Sequence, residues 1–303
     1  MGQDVAYATQ HIRNLCGGSQ PILVGASDGL RYVVKFTNNQ QGPNLLFNES
    51  MGSELYQCCG LPVPAWRPLL LTEAFLEKNR SCWMRTDEGI VRPDPGLCFG
   101  SLYLGETNRH LLEILPGTSF KRVRNHRNFW LAWLIDICAQ HTDNRQAIFQ
   151  EDGEGQFNAI FFDHGHLFGG PKGEQKLNFQ ASRYLDPRIY QDVFSMHQVG
   201  FAKGLDVRDV DQIWQRCQTL PEKWKTESAH AGLEQCLNRL ANATLLQNIL
   251  DTMVDAHQRT KENGRKQPKS ERTPRKPVLR PGVQAARPEH RTISGSLSHP
   301  ACA

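Results

Sequence analysis

The 303-residue chain contains no run of 18 uncharged apolar residues, so its sequence carries no signal for a transmembrane helix. Its first residues, Met1-Gly2-Gln3-Asp4-Val5-Ala6, lack the basic and apolar regions of a secretory signal, and Ala6 stands where N-myristoylation needs Ser or Thr. These absences predict a cytoplasmic protein with no membrane attachment. There is no Cys-x-x-Cys pair. The nine cysteines, at positions 16, 58, 59, 82, 98, 138, 217, 236 and 302, are odd in number and scattered, several within apolar runs. That pattern fits buried reduced thiols and argues against a disulfide framework or a structural zinc site. A Gly-x-Gly-x-x-Gly phosphate loop is also missing.

What remains is a globular composition, 39% hydrophobic and 22% charged, enough to bury one or two cores. The net charge of +4 is unevenly distributed: residues 259–303 hold 11 Lys/Arg and 3 Asp/Glu, leaving 24 basic and 28 acidic residues before them. From about residue 262 the chain is Pro, Arg, Lys, Ser and Thr, too poor in apolar groups to offset ordering entropy, and it reads as a disordered basic tail. The tail lacks the interleaved aromatics that stacking on single-stranded nucleic acid would use. A solvated linker is therefore the favoured reading and nucleic-acid contact the lesser one.

Residues 8–16, 21–26 and 30–36 read as strands, broken by Gly17-Gly18-Ser19 and by Asp28-Gly29, a type I′ hairpin signal. Pro43 opens a helix that ends at Gly60, with Pro62 and Pro64 behind it. Strands at 65–71 and 97–104 flank a short helix near 70–77 and a loop at 85–95. Residues 125–139 are apolar nearly all round, which marks a buried helix. Within it, Asp136 is an acid that needs a partner, either backbone or an Arg. A strand pair at 147–150 and 157–162 follows, then helices at 186–197, 207–219 and 230–258.

Lys35 ends the Val-rich third strand and Glu49 follows fourteen residues later on the helix, a pairing that kinase-like folds use to hold phosphates. Asp143, in the loop after the buried helix, and Asp163, at a strand end 20 residues later, fit the base and the metal-holding acid of phosphoryl transfer. The set is a complete minimum, because that reaction needs positioning and cations more than covalent chemistry. His141, His164 and His166 suggest zinc, but no Cys or Glu-x-x-His completes such a site.

Gly17-Gly18-Ser19, Tyr32-Val33-Val34-Lys35-Phe36, Asn48-Glu49, Gly60-Leu61-Pro62-Val63-Pro64, Thr142-Asp143-Asn144-Arg145 and Phe162-Asp163, in that order, resemble the HipA-like kinase family of bacterial phosphotransferases. The resemblance covers roughly residues 8–200. It implies an α+β, protein-kinase-like two-lobe fold, with a small antiparallel-sheet N-lobe (1–118), a mainly helical C-lobe (119–260) and the basic tail (261–303). It further implies ATP and Mg²⁺ as cofactors and a Ser/Thr hydroxyl of a protein as acceptor. Lys35 matches the family's phosphate-contacting lysine, Glu49 its helix partner, Asp143 its catalytic aspartate and Asp163 its metal aspartate; Gly17, Gly18 and Ser19 would cover the phosphates. The family's pattern has Asn five residues after the catalytic Asp, whereas this chain has Ile148, which leaves Asn144 or Gln146 to serve as metal ligand. A pseudokinase scaffold is the alternative.

Overall fold

The computed structural model describes residues 5–106, 111–173, 182–190 and 204–266. Three antiparallel strands open the chain, β1 (Ala8–Asn14), β2 (Ile22–Ala26) and β3 (Arg31–Lys35). The Asp-Gly hairpin forms, but not as a type I′ turn: Gly29 is left-handed at φ 80°, while Asp28 keeps a negative φ. The Asp28 carboxylate instead accepts from the Leu30 N–H (3.1 Å), the Tyr32 hydroxyl (2.8 Å) and Arg67 (3.1 Å), so side-chain bonding decides the turn.

Helix α1 (Leu45–Cys58) begins two residues after Pro43, because the Asn44 N–H donates to the Pro171 carbonyl and its side chain accepts from Thr226. It stops at Gly60, whose left-handed φ of 76° lets the Gly60 and Leu61 N–H groups satisfy the last carbonyls. Then come β4 (Trp66–Leu71), α2 (Glu73–Lys78, capped by Thr72) and β7 (Gly96–Leu102). Between α2 and β7, where the sequence suggests only loop, β5 (Met84–Thr86) and β6 (Gly89–Val91) pair as a small hairpin. The main sheet runs β1-β2-β3-β7-β4. Its inward residues, among them Ile22, Val24, Val34, Leu69, Leu71 and Cys98, form one hydrophobic core with Phe75 of α2.

A second and larger core surrounds α3 (Asn128–Cys138), in which every residue from Phe129 to Cys138 is buried. Burial of Trp130 and Trp133 alone is worth several kcal/mol, at about 1.5–3 kcal/mol for each large apolar side chain. Helix α1 contributes Leu46, Phe47, Met51 and Leu55 to this core. The antiparallel pair β9 (Gln146–Glu151) and β10 (Phe157–Phe162) is extended by a two-residue strand, β8 (Leu111–Leu112), too short to carry a sequence pattern.

Helix α4 (Val207–Gln218) starts in a reciprocal capping box of Asp206 and Asp209. The helix expected at 230–258 is two, α5 (Glu227–Leu240) and α6 (Ala243–Lys266), because the Asn242 side chain caps the Leu245 N–H and restarts the ladder. Of the helix expected at 186–197, Pro187–Ile189 is a 3₁₀ turn and residues 191–203 lie outside the described residues. Residues 262–266, expected in the tail, continue α6; residues 267–303 also lie outside the described residues. By contacts, residues to Val254 form one compact unit and those from Asp255 a second. Among the described residues no helix is long and apolar enough to cross a membrane.

Among the described cysteines, Cys16 is exposed, Cys58 and Cys59 are half-buried, and the rest are buried. Burial pushes the thiols of Cys58 and Cys82 up to about 11, and those of Cys98 and Cys138 to about 12.

Candidate active site

Strand β3 delivers Lys35 to the sheet end opposite Phe99, and its buried ammonium lies between two carboxylates. It donates to Glu49 Oε1 and, at 2.6 Å, to Asp163 Oδ1. Glu49, on the second turn of α1, also accepts from the backbone N–H groups of His164 (3.1 Å) and Gly165 (2.9 Å). That double contact depends on Asp163, whose left-handed φ of 60° turns the chain sharply after β10 and aims two successive N–H groups at one carboxylate. Asp is among the few residue types that adopt this conformation at low cost.

Glycine makes the approach close enough. A Cβ on Gly52 of α1 would stand 2.5 Å from His164 Cβ, and one on Gly165 would stand 2.4 Å from Leu45 Cδ1 and 2.9 Å from Glu49 Oε1.

Lys35, Glu49 and Asp163 sum to one negative charge. Burial alone would lower the Lys35 pKa, but Asp163 and Glu49 outweigh it and hold the ammonium above the ordinary lysine range. Burial likewise pushes Asp163 up, yet Lys35 prevails and holds it below the ordinary carboxylate range. Glu49 moves the other way, because burial and the neighbouring Asp163 charge exceed the pull of Lys35.

The loop after α3 is tied beside this centre by the Thr142 N–H, which donates to the His166 carbonyl at 3.0 Å. Asp143 follows, partly exposed, accepting from the Asn144 N–H at 2.7 Å, and its charge acts on His166. The Gln146 amide donates to Asp163 Oδ2 at 2.7 Å, so of the two substitutes Gln146 is the one in contact with the candidate metal acid. Ile148 lies in β9 opposite Ile160. Gly17 (φ 135°), Gly18 and Ser19 form the turn between β1 and β2, where the Ser19 carbonyl accepts from Asn39 at 2.6 Å. The structure thus brings Lys35, Glu49, Asp163 and Gln146 into direct contact. Asp143 and the glycine turn reach them only through intervening residues.

Two contributors have no role assigned by a reading of the sequence. Arg145 is buried and makes a two-pronged pair with Asp136, while its remaining N–H groups reach the Phe162 and Asp163 carbonyls at 3.0 and 3.4 Å. Asp136 signalled its need for a partner by being an acid in an apolar helix, but nothing said which arginine. Gln41, in the connection from β3 to α1, touches both Gly18 and His166. An uncharged residue in a loop gives no signal at all.

The donor set suits a divalent cation with a polyphosphate. The Asp163 side chain is 25% exposed while that of Glu49 is 3% exposed, so the surplus negative charge is open to solvent at Asp163. The carboxylate of Asp163 and the amide oxygen of Gln146 are hard oxygen ligands. Among the described residues no three His, Cys, Asp or Glu side chains converge as a metal cluster, so phosphate oxygens and water would complete the coordination.

No family model matches the chain, and no curated protein does. Among solved structures it is similar to the crystal structure of the Golgi casein kinase, with a TM-score of 0.50 and 12% identity, over 82% of this chain and 72% of that one. The fold is kinase-like. A second structure, the Golgi casein kinase with Mn/ADP bound, gives a TM-score of 0.46 and 11% identity over 81% of this chain and 72% of that one. At such identities the likeness concerns the fold alone.

Proposed function

We propose that the protein is an ATP- and Mg²⁺-dependent kinase of the HipA-like type, transferring the terminal phosphoryl group to a hydroxyl, with Ser or Thr of a protein as acceptor. The observation that carries this reading is the bridge from Lys35 to both Glu49 and Asp163. A buried cation held by a helix acid, beside a strand-end acid open to a metal, is the arrangement phosphoryl transfer requires. The nucleotide and its cation supply the phosphoryl group and neutralise its charge.

Lys35 would bind phosphate oxygens, exchanging Asp163 for them, while Glu49 keeps its ammonium aimed. Asp163 and Gln146 would hold the metal ion. The backbone of Gly17, Gly18 and Ser19 would cover the phosphates, and Asp143 would orient the acceptor hydroxyl and take its proton. The acceptor and the bacterial kinship are assigned from the family resemblance, and the cytoplasmic setting from the sequence's want of a signal peptide or apolar span. The second reading, a nucleotide-binding scaffold with lost turnover, is favoured by Ile148 at the place of the family's metal-binding Asn.

Purified protein incubated with γ-labelled ATP and Mg²⁺, beside Lys35→Ala and Asp143→Ala, tests both readings. A kinase transfers label or consumes ATP in the parent alone, and Asp143→Ala still binds ATP within a few fold. A parent that binds ATP without turnover favours the scaffold. If the parent does not bind ATP, both readings fall.

A further inference from the structure

The connection from β3 to α1 lies across the candidate site rather than beside it. At its start the Asn39 amide donates to the Ser19 carbonyl at 2.6 Å, and Asn39 Oδ1 accepts from the Gln41 N–H at 3.0 Å, so Asn39 ties the glycine turn to the connection. At its end a Cβ on Gly42 would stand 2.2 Å from the Pro171 carbonyl oxygen, and the Asn44 N–H donates to that same oxygen at 3.0 Å. Residues 39–44 are therefore fastened to the turn on one side and to residue 171, beyond the two acid loops, on the other.

Gln41 is the middle of this strap. Its Nε2 lies 2.7 Å from where a Cβ on Gly18 would be, and 3.3 Å from His166 Nε2. His166 Nδ1 in turn lies 3.1 Å from the Thr142 hydroxyl, one residue from Asp143. Since an amide nitrogen only donates, His166 Nε2 is the acceptor and its Nδ1 carries the proton toward Thr142. The amide donor of Gln41 thus occupies the gap between the turn that would cover the phosphates and the loop that would present the acceptor. In phosphoryl transfer that gap belongs to the terminal phosphate.

We infer that Gln41 is a ligand of the terminal phosphate of the nucleotide, exchanging His166 Nε2 for a phosphate oxygen when a triphosphate binds. The assignment rests on the proposed kinase reading. It makes Gln41 the residue that separates triphosphate from diphosphate, because a diphosphate presents nothing to it.

The test is equilibrium binding of ADP and of a non-hydrolysable ATP analogue, each with Mg²⁺, to the full chain and to Gln41→Leu and Gln41→Glu. The parent is expected to prefer the analogue. Both variants should bind ADP as the parent does and the analogue at least about tenfold more weakly, in line with the loss of one hydrogen bond to a charged group. Gln41→Glu should be the weaker, since a carboxylate there repels phosphate. Equal weakening toward both nucleotides would make the strap a structural clasp and overturn the assignment, as would unchanged binding of both. A parent that binds neither nucleotide would overturn the kinase reading itself. Gln41 is partly exposed and its Glu replacement has the same shape, so that variant keeps the measurement open if Gln41→Leu fails to fold.

Discussion

Asp136 and Arg145, nine residues apart, face each other in the core with two hydrogen bonds of 2.6 and 2.9 Å, and both side chains are buried. The Tyr56 hydroxyl adds a third bond to Asp136, at 2.6 Å, and the guanidinium lies over the Tyr56 ring. Because Arg145 also holds the Phe162 and Asp163 carbonyls, this pair links α3 to both acid loops.

Arg145→Met strands a buried carboxylate and should cost about 3–5 kcal/mol. Asp136→Leu combined with Arg145→Met removes both charges and should recover much of that loss in chemical denaturation. Phosphate transfer should stay low in the double variant, because the Asp163 carbonyl keeps no donor from residue 145.

Gly52→Ala should destabilise, although the same change in an exposed helix stabilises by up to about 1 kcal/mol. Here the new methyl would meet His164 and Leu167, and overpacking of this kind costs about 1–3 kcal/mol. The wedge also parts α1 from the loop that Glu49 holds. Thermal melts and nucleotide binding should therefore decline together.

Lys35→Met should abolish nucleotide binding and lower stability by roughly 3 kcal/mol at neutral pH, leaving the buried Glu49 carboxylate and the partly exposed Asp163 without their cation. In the parent the Asp163 pKa lies below its ordinary 3.8, so its stabilisation is present above that pH and is lost as pH falls toward the folded value. The gap between parent and variant, measured by urea denaturation, should therefore narrow as pH drops below about 4.

Some of the centre is legible in the sequence itself. Lys35 and Glu49 declared themselves by a Val-rich strand ending in a cation and a well-bounded helix carrying an acid, both local patterns. Asp163 was legible as an acid ending a strand. The roles of Arg145 and Gln41 were not: the bidentate pairing of Arg145 with Asp136 depends on how the loop after α3 folds back, and Gln41 meets His166 from 125 residues away, neither of which a local periodicity encodes. The same limit explains β8, whose two residues pair only because β9 offers an edge, and the break at Asn242, where one side-chain cap overrides a continuous apolar stripe.

His141 is buried, neither ring nitrogen has a hydrogen-bond partner among the described residues, and its Nδ1 stands 3.7 Å from Asp136. Burial first, then Arg145, His166 and His164, hold its pKa well below the ordinary 6.5. The unfolded chain therefore binds a proton that the folded state refuses, and stability falls as pH drops below about 6.5, by up to about 1.4 kcal/mol per unit for this group. His141→Asn should flatten the slope of melting temperature between pH 7 and 5; an unchanged slope would place the acid sensitivity elsewhere.

The uneven burial of the thiols has a practical side. Alkylating reagents attack thiolates, and raised pKa values leave Cys58, Cys82, Cys98 and Cys138 almost wholly protonated and inert at neutral pH. Cys16 is exposed and immediately precedes Gly17. With Cys302 changed to serine, a maleimide dye would attach next to the glycine turn, and its fluorescence on addition of nucleotide would test the proposed cover of the phosphates without an engineered cysteine.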